Sequence, residues 1–208
     1  MAAEARGGFE PATLKKWIPA GIVAAILLGV AAMVFARELV SPAPPEAPMA
    51  RAPREAGGVT QFRDPAGAFS ISHPASWTRV ASSNPEVRLL AQGDGSSMLV
   101  RVGDLGIEVG PENLGAARKL TDKLVRSAGQ AKPLRPPKRV SLGGLPGFLY
   151  LYTFADAASG QRGAHAHYFL FRGETLFTII FQTVPAERLP ELAPLFDRIG
   201  ETLRTAPG

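Results

Sequence analysis

Twenty consecutive residues without a formal charge, Trp17 to Ala36 (WIPAGIVAAILLGVAAMVFA), constrain this chain more than any other feature. Lys15 and Lys16 precede them, and Arg37 and Glu38 follow. Twenty helical residues span about 30 Å, the thickness of a bilayer's hydrocarbon layer. A helix buried in a soluble protein keeps a polar stripe, and this stretch has none. Pro19 falls in the first turn, where a missing N–H costs little, and Trp17 sits where an interfacial aromatic is favoured. We read residues 17–36 as a transmembrane helix. The alternative is a cleaved signal peptide ending at Val34-Phe35-Ala36, but such apolar regions run only about 7 to 15 residues. On either reading the C-terminal part is exported. Arg6, Lys15 and Lys16 on one flank against Arg37 and Arg51 on the other favour a cytoplasmic N-terminus and an extracytoplasmic C-terminal domain at the cell membrane.

The rest of the chain divides around that segment. Residues 1–16 form a short basic tail. Residues 37–58 hold five prolines (Pro42, Pro44, Pro45, Pro48 and Pro53) and close on Gly57-Gly58, a composition that forms an extended spacer rather than a core. Residues 59–205 remain for one domain of ordinary size. The 208 residues include no cysteine, which excludes disulfides, thiolate metal sites, cysteine nucleophiles and a lipidated cysteine anchor.

Within the domain, short apolar runs punctuated by glycine and proline predict strands and turns. Phe69 to His73 alternates and stops at Pro74, predicting a strand with one buried face. Val87–Ala91 and Ser97–Val102 flank Gly93-Asp94-Gly95 and predict a hairpin. Between Glu112 and Ala128 the period becomes helical. Leu114, Ala117, Thr121, Leu124, Val125 and Ala128 share a face, with Arg118, Lys119, Asp122, Lys123 and Arg126 opposite. Strands are expected at 148–155, 162–172 and 175–183, the last two joined by Gly173-Glu174. The last is apolar on both faces, so helices should cover the sheet on both sides. A closing helix carries Leu189, Leu192, Phe196, Ile199 and Leu203, with its regular part expected from Pro194.

The run Phe69-Ser-Ile-Ser-His-Pro-Ala-Ser-Trp77, a central helix, a strand meander and the terminal Phe196-Asp-Arg-Ile-Gly-Glu-Thr-Leu-Arg204 occur in that order. This arrangement resembles the PsbP-like, or Mog-type, fold, which is also seen in actinobacterial LpqN-type exported proteins. The resemblance covers about residues 61–205. It implies an α+β domain whose central antiparallel sheet is sandwiched between helices, and a binding or assembly module without shared catalytic residues. His73 stands where the family usually has an aromatic residue before the proline.

Chemistry-bearing residues are few. His165 and His167 lie two apart on one strand and share a face. With His73 or a carboxylate to complete the set, they could ligate zinc or copper, which makes a metal-dependent enzyme or metal-binding protein the alternative reading. No G-x-S-x-G, H-E-x-x-H or phosphate-binding glycine loop occurs, so neither an enzyme nor a cofactor is expected. The strongest anomaly is charge. Arg118, Lys119, Lys123, Arg126, Lys132, Arg135, Lys138 and Arg139 face the single acid Asp122, so 8 − 1 gives +7 within 22 residues, more than the whole chain's net +5. Lys132 to Arg139 are expected in a Pro-rich loop. These eight residues are the partner-binding candidates, for an anionic envelope component or an acidic protein surface. The extracytoplasmic location argues against nucleic acid.

Overall fold

The computed structural model describes residues 58–127, 131–157 and 159–206. The apolar segment 17–36 and the spacer up to residue 57 lie outside the described residues. Among the described residues no helix is long and apolar enough to cross a membrane.

Among the described residues ten strands and two α-helices follow in order: β1 (Val59–Arg63), β2 (Phe69–Pro74), β3 (Thr78–Arg79), β4 (Val87–Gly93), β5 (Ser96–Val109), α1 (Leu114–Ser127), β6 (Lys132–Pro133), β7 (Lys138–Leu142), β8 (Leu145–Ala155), β9 (Arg162–Thr183), α2 (Leu189–Glu201) and β10 (Arg204–Thr205). A 3₁₀ turn, Ala186–Arg188, leads into α2. The large sheet is antiparallel, ordered β3-β4-β5-β9-β8-β6, with β7 pairing further along the same edge of β8. β1, β2 and β10 form a small second sheet.

The β4–β5 hairpin closes as its turn chemistry demands. Gly93 pairs with Ser96, and Asp94 and Gly95 both take positive φ, 52° and 71°. Positive φ at both central residues matches the strand twist. β9 is continuous over 22 residues and takes in both expected strands and the turn between them. Fully straight it would reach about 70 Å, yet β8 pairs only with its first half and β5 only with its second. Gly173, at φ 55°, is the reversal point. Residues 164, 166, 168 and 170 share a core with 177, 179 and 181, so the alternation inverts there. His165 also hydrogen-bonds Gln182 across the two arms.

Two apolar cores flank the large sheet. On one face Ala166, Tyr168, Phe177, Ile179 and Phe181 meet Phe69 and Ile71 of β2 and Leu189, Phe196 and Ile199 of α2. On the other, Phe148, Tyr150, Tyr152, Phe169, Phe171 and Leu176 meet Leu114, Ala117, Leu124 and Val125 of α1. The sheet is thus covered by helices on both faces. α1 presents the expected stripe through Val125, Ala128 lying outside the described residues, and Thr121 is tolerated in it because its hydroxyl donates to the Arg118 carbonyl and lies 2.7 Å from the Tyr150 hydroxyl.

Three local expectations are corrected. α2 begins at Leu189, a turn before Pro194, because the preceding 3₁₀ turn and Pro190 start it early and Leu189 joins the core. β2 is buried on both faces, since Ser72 also packs beneath the end of α2 and donates its N–H to Thr202 Oγ1 at 2.8 Å. The third concerns the expected Pro-rich loop, which holds two edge strands, β6 and β7.

A candidate binding cleft beneath a bulged edge

β8 would carry one uninterrupted edge partner if prolines allowed it. Pro133 pairs with Tyr152 and Lys138 with Leu149, so five steps along the edge chain oppose three along β8. Two residues are in excess. Between the two pairs only Leu134 keeps a ladder bond, its N–H donating to the Leu151 carbonyl at 2.9 Å. Pro136 and Pro137 have no N–H to offer, so the chain bulges away from the sheet there. The bulge stands beside α1, and the space between them is a cleft of about 510 Å³.

The cleft brings the two halves of the basic segment together. Arg118 and Arg126 from α1 and Arg135 from the bulge line it. The other five candidates, Lys119, Lys123, Lys132, Lys138 and Arg139, are exposed but do not line it. Asp122 is the one acid in the lining. It accepts a 2.7 Å hydrogen bond from Tyr150 and lies 3.9 Å from Arg118 Nε. Arg126 and Arg135 form no ion pair with any described residue. Three cations against one acid leave the cleft at +2. Its floor is Tyr150, Leu151 and Tyr152, and its walls are Val125, Leu134 and the three prolines.

Tyr150 and Tyr152 were not singled out from sequence, although their alternation on an apolar strand beside a helix was visible. Each hydroxyl is held inside the fold. Tyr150 reaches Thr121 and Asp122, and Tyr152 lies 2.9 Å from His167 Nδ1. Burial pushes both phenols above their ordinary range, and the Asp122 carboxylate adds to the effect at Tyr150, so both stay neutral.

The strand that carries the two histidines runs through the interior of the fold. His165 and His167 are buried beneath aromatic rings, stacked on Phe154 and Phe169 with centroids at 4.2 and 3.9 Å. His165 Nε2 donates to Gln182 Oε1 at 2.8 Å. Burial lowers its pKa to about 4, and burial together with the nearby His165 and Arg101 holds that of His167 well below the ordinary range. His73 cannot complete a site with them. It shares the β2 face of Phe69 and Ile71, which packs on the opposite side of the large sheet, and its Nδ1 lies 2.9 Å from the Pro74 carbonyl. Among the described residues no three histidine or carboxylate side chains converge on a metal-sized space. The metal-centred alternative finds no third ligand among the described residues.

No family model and no curated protein matches the chain. Solved structures do. Cyanobacterial PsbP (CyanoP) from Synechocystis superposes with a TM-score of 0.54 at 13% identity, over 76% of this chain and 98% of that one. A Bacteroides thetaiotaomicron protein gives 0.52 at 14% identity over 73% of this chain, which spans only 50% of the other. LpqN of Mycobacterium tuberculosis, described as involved in cell envelope biogenesis, gives 0.47 at 11% identity. At these identities the likeness establishes the fold alone: the domain has a PsbP-like α+β fold.

Proposed function

We propose that the chain is a membrane-tethered, extracytoplasmic, non-enzymatic binding module that holds an anionic partner at the cleft between α1 and the bulged edge of β8. The carrying observation is that Arg118 and Arg126 of α1 and Arg135 of the bulge line one recess whose only acid is already engaged by Tyr150. A merely solvated helix face would have no reason to be met by a third arginine residue from another element. The apolar segment 17–36 and the proline spacer would place this recess on the outer side of the membrane, facing envelope polymers, lipids or acidic protein surfaces.

The test uses the full chain in phosphatidylcholine nanodiscs, with polyglutamate as the anionic probe. Each cation near an anionic surface contributes about 1 kcal/mol, so three arginines are worth about a hundredfold in affinity at low salt. Binding should fade by half-molar salt. Arg118→Glu, Arg126→Glu and Arg135→Glu together should abolish it. Reversal of the exposed Arg63, Arg88 and Arg198 should have little effect. Equal losses from the two sets would reduce the cleft to general basicity.

A further inference from the structure

We infer that the cleft's ligand is a small amphipathic organic anion: one carboxylate or phosphate group carried on a compact apolar body. This rests on reading the cleft as the contact site, and adds what the site selects.

The floor offers ring surface, not polar groups. Both tyrosine hydroxyls are committed to Thr121, Asp122 and His167, so neither needs a ligand for satisfaction. The interior bonds also hold the rings in place before anything binds. Leu134 projects from the bulge and is 53% exposed, one of three large apolar side chains so exposed among the described residues. With Val125 and the prolines it gives the recess a hydrocarbon wall. A bare anion would leave that wall and floor in water. An apolar molecule would leave Arg126 and Arg135 without a counter-charge inside the recess. A guanidinium grips a carboxylate or phosphate through paired N–H donors and also stacks on flat rings. At about 510 Å³ the cleft has the size that holds a drug-sized molecule.

The probes are 1-naphthyl phosphate, inorganic phosphate as the head alone and 1-naphthol as the body alone. Each is titrated calorimetrically into the full chain in phosphatidylcholine nanodiscs, with empty nanodiscs as blank. One equivalent of 1-naphthyl phosphate should bind at least about tenfold more tightly than either part, a difference of about 1.4 kcal/mol. Arg135→Gln and Leu134→Ser should each weaken it about fivefold or more. Both side chains are exposed, so the melting midpoint should not move. Equal affinity for phosphate and naphthyl phosphate, or indifference to both substitutions, overturns the inference. If polyglutamate binds with the arginine dependence above and naphthyl phosphate does not, the amphipathic ligand is discarded and the proposed contact with an acidic polymer stands. If neither binds, both fall.

Discussion

Replacing His165 by glutamine should remove a large part of the domain's acid sensitivity. In the fold, burial holds His165 at a pKa of about 4, against about 6.5 when exposed, with the Gln182 hydrogen bond opposing only part of the shift. The folded state therefore resists taking a proton that the unfolded chain accepts. His165 costs the fold nothing above pH 6.5. As the pH falls toward 4, the unfolded state gains about 1.36 kcal/mol per unit. At pH 5 the penalty is about 2 kcal/mol, and over the whole window about 3 kcal/mol. A glutamine at this position cannot titrate and can still donate an N–H to Gln182. Chemical denaturation of the wild type and His165→Gln at pH 8, 7, 6 and 5 measures the difference. The wild type should lose about 2 kcal/mol more than the variant between pH 8 and 5. His167, also held low, leaves a residual slope in both. Identical pH profiles would refute the reasoning, since they would mean that His165 is hydrated enough to titrate normally in the fold.

Two other predictions follow from the cores. Trp77 is 7% exposed and packs in the β2–α2 core, so Trp77→Ala should cost about 3 to 5 kcal/mol, and an unchanged unfolding midpoint would refute its anchoring role. Every residue of the two cores falls between Phe62 and Leu203, so residues 58–208 alone should be soluble and unfold cooperatively; aggregation or a broad, non-cooperative transition would show that the fold needs the preceding segment.

Long periodic stretches were legible and short ones were not. α1 could be read because five of its buried positions recur at helical spacing, and the β4–β5 hairpin because Asp-Gly admits positive φ. β1, β3 and β10 span five, two and two residues, too few for alternation to stand out. They are strands because tertiary neighbours pair them, as β10 pairs with Ser70 and Phe69. The burial of the histidines was not legible for a related reason. Alternation correctly placed His165 and His167 on one face, but whether that face is wet depends on rings from β8 and β9 packed over it. Spacing along one strand does not contain that information.

The cleft was half legible. Its charge was plain in the sequence; its shape was not, because prolines at 133, 136 and 137 read as a loop while the residues on either side pair with β8. Prolines and lysines on an edge strand have a common use: they block pairing with another chain's strand. That use explains Pro136, Pro137, Lys132 and Lys138 without any ligand. It does not explain Arg118 and Arg126, which belong to α1 and guard no edge, or Leu134, an exposed apolar residue in the one place where edge protection would favour a charge. The edge-guarding prolines wall part of the recess, and Arg118, Arg126 and Leu134, left over by that explanation, line it beside them. Substitutions at Lys132 and Lys138 should therefore act on self-association, and those at Arg126, Leu134 and Arg135 on ligand binding.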